Sequence, residues 1–381
     1  MKVGVDPYLE WLKREGIPLV EDFGVALPEV QTRPWPRYGV EGAAVHLKGR
    51  GDFVSMFVLD LPPGAASAPQ RHLYEEVVYV LSGRGSTTIE RGDGGTHSFE
   101  WGPRSLFALP LNSAYRHFNG SGSAPARLAI TTNLPAVLNM FHNEAFVFAN
   151  PFRFDERLGK PNHFSGQGRF IPVRPGQHMW ETNFIPDLGA IELKSWEERG
   201  KGSKNLMFIL ADGTMHAHLS EMQAGSYKKA HRHGPDFHVM CVRGEGYSLL
   251  WYEGDPDFRK VPWRYGTVFA PPDRMFHQHF NTGAHPARYL ATAFGSLRYP
   301  FTEAKRRALI GTSQGQGSGE GQGAVATSVK LGGDQIEFED QSPRIHALYL
   351  EETRKSEVGV SMDPLRAGNS PPERLKSGTD S

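Results

Sequence analysis

Cysteine is nearly missing: Cys241 stands alone among 381 residues, which excludes a disulfide within the chain. Net charge is missing as well. Lys+Arg and Asp+Glu number 42 each, so there is no electrostatic footprint for nucleic acid or an anionic membrane. No apolar run approaches the roughly 20 residues of a membrane span. The opening stretch, MKVGVDPYLEWLKREG, has no signal-peptide core and reads as a short amphipathic helix. These absences predict a cytoplasmic protein with no nucleic-acid or membrane partner.

Glycine (43) and proline (28) are abundant, and hydrophobic content is an ordinary 39%. Short runs such as DFVSMFVLDLPPG and EEVVYVLSGRGSTTIE alternate apolar and polar residues between Gly/Pro turns. That period of two predicts an all-β fold of many short strands, a sandwich, barrel or jelly roll.

The chain also repeats itself. Gly64, Gly83 and Gly85 match Gly225, Gly244 and Gly246 at an offset of 161. Trp101, Phe107, Pro110 and Asn119 match Trp263, Phe269, Pro272 and Asn281 at 162. One inserted residue explains both phases, so two copies of one β domain are expected. The predicted plan is an N-terminal extension 1–40, a first domain 41–135, an interdomain segment 136–189, a second domain 190–300 and a C-terminal extension 301–381. The aromatic segment 137–154 is expected to pack between or across the barrels. A Gly/Ser/Gln linker is expected at 312–323, a helix at 342–355 and a disordered tail from about 361.

Eight of the sixteen histidines lie between His216 and His285. Within that stretch Gly225 precedes His231 and His233, Gly244 follows eleven residues after His233, and Pro272, His277 and Asn281 come after. Residues i and i+2 of a strand share a face. His231 and His233 are therefore expected to point into one barrel, with His277 joining them from a neighbouring strand. Three imidazoles suit Zn, Cu, Fe or Ni.

These two segments resemble the paired signature motifs of the cupin superfamily, and the resemblance spans both repeats. It implies two tandem jelly-roll β-barrels with short helical N- and C-terminal extensions, and a divalent metal on His231, His233 and His277. The cupins' usual fourth ligand, a glutamate seven residues before the closing glycine, falls at Phe237. Two readings stay open for the next residue, His238. It is a fourth ligand if Gly234-Pro235 bulges the strand, and an outer-wall residue if the strand is regular. His279 shares a face with His277 as a supporting or alternative ligand. His216 and His218, on an earlier strand, are read first as structural, with lining the pocket mouth as the alternative. The first copy keeps His72 and Glu76 but carries Gln70 and Tyr115 where the second has histidines. With His117, the set Gln70, His72, Glu76 and His117 forms a possible second metal site, and a structural role is the stronger expectation for that barrel.

The two-barrel plan, and eleven residues from His233 to Gly244, are also similar to gentisate-type bicupins, although those hold their metal in the first barrel. That resemblance implies an Fe(II) dioxygenase taking O2 and a small aromatic or oxygen-bidentate acid. Phe237, Cys241 and Trp251 are candidate pocket residues, with Arg243 or Arg274 on a substrate carboxylate. Cys241 is read first as a small buried strand residue. Two alternatives stand beside this reading: a non-oxidative Mn, Zn or Ni isomerase, decarboxylase or lyase, and a non-enzymatic small-molecule-binding bicupin. A homo-oligomer is expected from exposed strand edges.

Overall fold

The alternating runs become strands, as their period requires. The structure, a computed structural model, describes residues 3–158, 161–174, 177–234, 236–296, 298–300 and 328–362. In the first barrel the larger sheet runs Val40–Leu47, Ser55–Leu61, Ala126–Thr132, Glu76–Ser82 and Leu106–Ala108 in spatial order. Its smaller sheet runs Tyr115–Asn119, Gly85–Glu90 and Thr96–Trp101. The second barrel repeats both orders. Its larger sheet runs Lys204–Ile209, Met215–Met222, Ala287–Phe294, His238–Arg243 and Thr267–Phe269. Its smaller sheet runs Arg259–Arg264, Glu245–Trp251, Phe276–Asn281 and Ala230–His231. The fold is two tandem jelly-roll barrels.

The residues that carry the repeat hold equivalent places. A Cβ on Gly85 would meet Phe118 O at 2.0 Å against the Trp101 ring, and one on Gly246 would meet Phe280 O at 2.0 Å against Trp263. Only glycine allows the strands that close an approach. Asn119 Nδ2 donates to the carbonyls of Leu61, Pro62 and Ala124. Asn281 Nδ2 does the same to Met222, Gln223 and His285.

The duplication reaches further upstream than the sequence matches. Leu19–Asp22 pairs in parallel with Val40–Leu47, and Gln177–Glu181 pairs in parallel with Lys204–Ile209. Two strands then exchange. Gly24–Ala26 crosses to Thr267–Phe269 of the second barrel, and Phe184–Ile185 crosses to Leu106–Ala108 of the first. Between the barrels the larger sheets meet face to face. Val45, Val58, Val77 and Ala129 pack there with Ala217, Met240 and Leu290 in one apolar cluster.

Four helices complete the described residues. Helix α1 (Pro7–Glu15) starts on the Asp6 side chain, which accepts from Leu9 N, and stops at Gly16 with φ 69°. Helices α2 (Leu134–Phe141) and α3 (Glu144–Phe148) fall in the aromatic segment expected between or across the barrels. They close the first barrel instead, because Leu134, Leu138 and Val147 join its internal cluster beside Trp11 and Trp35. Helix α4 (Pro343–Lys355) lies where a C-terminal helix is expected. It presses Ile345 and Tyr349 onto Tyr227 and Phe280, on the outer face of the second barrel's smaller sheet. The linker 312–323 and the tail from 363 lie outside the described residues.

Candidate metal centre

Strands Ala230–His231 and Phe276–Asn281 are antiparallel, with His231 directly opposite His277. His233, two residues on from His231, turns its ring to 4.5 Å from that of His277. The three side chains bring their ring nitrogens within 4.8 Å of one another, the one such group of potential ligands among the described residues.

The hydrogen bonds at the back of each ring fix its chemistry. Nδ1 faces a backbone carbonyl in all three: Lys229 O for His231 at 3.4 Å, Gly234 O for His233 at 2.9 Å, and Met275 O for His277 at 3.2 Å. A carbonyl only accepts, so each Nδ1 carries the proton and each Nε2 presents a lone pair. Burial, with the charge of Arg199 next, holds the His231 pKa well below the usual imidazole value. Burial, with His233 next, does the same for His277. With both rings in that tautomer, the Nε2 atoms of His231 and His277, 3.1 Å apart, turn lone pairs on each other. A cation relieves that repulsion. Two imidazole nitrogens at right angles on an ion ~2.1 Å away stand ~3 Å apart, so the spacing fits a metal.

The remaining expected residues divide. The Phe237 ring lies 4.2 Å from His233 and walls the cluster where a carboxylate would otherwise stand. His279 is buried on the same face as His277, its Nδ1 bonded to Ser248 Oγ at 2.8 Å. Ser248 in turn accepts from Trp263 Nε1, so His279 is held as wall, outside the three-nitrogen group. His238 goes the other way. Its strand is regular there, and its ring lines the seam between the larger sheets with Met56, Tyr79, Thr131 and Met240. Strand parity wins over the bulge, and His238 is no part of the cluster.

Three further candidates are corrected. Arg243, the last residue of its strand, lies on Glu221 and the carbonyls of Gly189 and Pro286. Trp251 packs with Phe258 and Phe276 on the outer face of the smaller sheet. Arg274 is half exposed and pairs with Asp334, tying down the C-terminal segment. Cys241 faces the interior, but its thiol points at Gly244 O and burial pushes its pKa up to about 12. It is a packing residue, as first read.

Of the further residues in this interior, sequence singles out His216 and His218 but not Lys228, Arg199 or Gln335. Lys228 is 2% exposed and donates to Tyr289 Oη at 3.0 Å. His216 and His218 contact each other at 2.8 Å beside Phe237. Arg199, from the 3-10 turn Glu197–Arg199, is buried and donates to Gln335 Oε1. Gln335 sits opposite His231 in the short strand Gln335–Ile336, so the C-terminal segment forms the wall beside the cluster. The histidine pair was visible in the spacing of residues 216 and 218. Nothing local marks Lys228, Arg199 or Gln335.

The equivalent positions of the first barrel are wired differently. Gln70 Nε2 donates to Arg37 O and Ala68 O. His72 Nε2 meets Tyr115 Oη at 3.0 Å, and its Nδ1 meets Tyr74 O. Tyr115 and Tyr38 both donate to the Glu76 carboxylate, at 2.6 and 3.0 Å. Burial opposes that charge, yet His72 and the two hydroxyls keep the Glu76 pKa below the usual carboxylate value. His117 Nδ1 bonds Thr87 as His279 bonds Ser248. Gln70, His72, Glu76 and His117 therefore form no ligand set there.

No protein-family model and no curated protein matches the chain. Among solved structures it is similar to oxalate decarboxylase of Lactobacillus farciminis in a formate complex, at 15% identity and TM-score 0.48, covering 79% of this chain and 95% of that one. It is similar also to the Mn(II)-containing oxalate decarboxylase of Bacillus subtilis, at 16% identity and TM-score 0.46, covering 72% and 78%. Strand order and the exchanged edge strands make the fold of this chain two jelly-roll barrels in tandem, the architecture that the resemblance to cupins implies.

Proposed function

We propose that the protein is a divalent-metal-dependent enzyme acting on a small organic acid in its second barrel, with the ion on His231, His233 and His277. The contact that carries this reading is the one between His231 and His277, two proton-free nitrogens 3.1 Å apart in a buried site. A bound ion would supply a Lewis acid with coordination positions left open beside three neutral imidazoles. The chain supplies the rest. Phe237 shields the His233 side from water, and Ser248 fixes the His279 ring. Lys228 and Tyr289 place an ammonium and a hydroxyl beside His279.

Proton-carrying groups inside the barrel favour a non-oxidative reaction, a decarboxylation, isomerisation or elimination in which a proton is delivered to or taken from the substrate. A second reading, Fe(II)-dependent dioxygenation of a small aromatic acid, draws on the ligand set itself, which lacks a carboxylate. Three imidazoles do not choose between Mn, Fe, Zn and Ni. Metal analysis of the purified protein comes first, with one ion per chain expected, and none in His231→Ala. Each metal form is then offered small carboxylic acids while substrate loss and O2 uptake are followed together. Turnover without O2 uptake supports the first reading, and uptake matching product supports the second. A metal-free wild type that turns over nothing removes both and leaves a small-molecule-binding protein.

A further inference from the structure

The interior of the second barrel holds a buried ammonium with no carboxylate paired to it among the described residues. Lys228 is 2% exposed, and the one hydrogen bond of its ammonium among the described residues is to Tyr289 Oη at 3.0 Å. An ammonium offers three donors, and the Tyr289 ring, 4.9 Å away, is neutral like its hydroxyl, so among the described residues no negative charge answers the ammonium and two donors are left over. A buried charge without a partner is costly. The nearby rings bring no negative charge. His279 lies 4.9 Å from the Tyr289 ring, and burial, with Lys228 next, holds its pKa well below the usual value. Burial, again with Lys228 next, takes the His218 pKa down to about 3. The nearest buried glutamate on the strand Met215–Met222, Glu221, is occupied by Arg288, Arg243 and Lys204.

We propose that Lys228 and Tyr289 form an oxyanion-binding pair inside the second barrel, which receives a carboxylate group of a small acid. This rests on the reading of that barrel as the reaction site and adds what selects the substrate. The Tyr289 hydroxyl accepts from Lys228, so its own proton remains to be donated to a ligand oxygen. Together the two present a charged donor and a neutral donor to the same oxygen pair. Charge-assisted hydrogen bonds of this kind are about twice as strong as neutral ones. With neutral imidazoles around it, the site attracts acids and rejects amines and uncharged isosteres.

The test uses the full chain loaded with Co(II), whose visible absorption reports ligand binding, and titrates it with oxalate, acetate and neutral imidazole. Lys228→Met keeps the length of the side chain and removes the charge. It is expected to hold as much metal as the wild type, to bind imidazole unchanged, and to bind oxalate and acetate about ten-fold more weakly or worse. Tyr289→Phe is expected to weaken the same anions by about three-fold. Lys228→Arg is expected to recover part of the loss. Oxalate and acetate binding within two-fold of wild type in Lys228→Met, with metal content equal, overturns the proposal. The metal-free protein separates this failure from failure of the metal reading. If the wild type holds no Co(II), oxalate is still expected to raise its unfolding temperature and to do so less in Lys228→Met and Tyr289→Phe. An equal rise in all three overturns the pair on its own.

Discussion

The two barrels share one frame and differ in what fills it. Gly85 and Gly246, Asn119 and Asn281, and the Trp–hydroxyl–His chains ending at His117 and His279 occupy matching places. In the first barrel Tyr115 and Glu76 stand where the second has His277 and Phe237, and their oxygens satisfy each other and His72. The aromatic rings of Trp11, Trp35 and Tyr38 then fill the interior behind them. In the second barrel the same positions bring imidazole nitrogens together, an arrangement that a cation satisfies. Frame and chemistry are thus separable. Backbone carbonyls and glycines set the barrel, while a few interior positions decide between a closed hydrogen-bond network and an open ligand set.

The contrast is broken most severely by exchanging which barrel responds to metal. His277→Ala is expected to abolish the rise in unfolding temperature that a divalent ion gives the wild type, a rise worth about 2.7 kcal/mol at a hundred times the dissociation constant. Gln70→Ala is expected to leave that rise intact, since its amide is bonded to backbone away from any ligand set. Thermal unfolding with and without metal, and with a chelator, checks both variants. Should Gln70→Ala lose the response and His277→Ala keep it, the roles of the barrels are reversed.

Next in size is a change that should hurt the first barrel alone. Glu76→Ala removes the acceptor of Tyr38 and Tyr115 and the partner of His72, all buried. Leaving such donors unmatched costs about 1–3 kcal/mol per group. Denaturant unfolding is expected to show a loss of about 3 kcal/mol with metal content unchanged. A loss of metal instead would mean that the two interiors are coupled through the seam.

Much of this comparison was legible before any coordinates, and the rest was not for definite reasons. Period-two alternation gave the strands, and paired glycines, tryptophans and asparagines gave the duplication, because close backbone approach leaves a mark in residue type. His231, His233 and His277 were legible because two of them sit at i and i+2 and the third follows a turn proline. The exchange of Gly24–Ala26 and Phe184–Ile185 was not, since a two- or three-residue edge strand has no pattern of its own. Lys228, Arg199 and Gln335 reach the interior from three separate segments, and side chains that converge only in space leave no spacing to read. Trp251 was misread for the opposite reason. An apolar residue on a strand suits a pocket wall, but this sheet has two apolar faces, and α4 covers the outer one.

The smallest effect concerns the histidine that strand parity turned away from the cluster. His238 lies in the seam, 1% exposed, and neither ring nitrogen has a hydrogen-bond partner among the described residues. Burial, helped by the charge of Arg50, pushes its pKa down to about 3. The unfolded chain binds that proton near pH 6.5. The stability His238 permits is therefore complete above pH 6.5 and is lost as pH falls toward 3, by about 2 kcal/mol at pH 5. Asp236, two residues away and 1% exposed, works in the opposite sense. Burial raises its pKa to about 6 against the backbone donors of Phe53 and Gly51, so ionising it as pH rises through 6 costs stability. Going from pH 7.5 to 5, Asp236 returns about 1 kcal/mol of what His238 loses. His238→Leu is expected to be neutral or about 1 kcal/mol stabilising at pH 7.5, since it removes two unpartnered nitrogens. It should gain a further ~2 kcal/mol on the wild type by pH 5. Asp236→Asn is expected to shift the same difference the other way by about 1 kcal/mol. Denaturant midpoints at pH 5, 6 and 7.5 measure both. Parallel pH profiles for wild type and His238→Leu would mean that the ring is protonated in the fold, and hence that the seam is wetter than its packing shows.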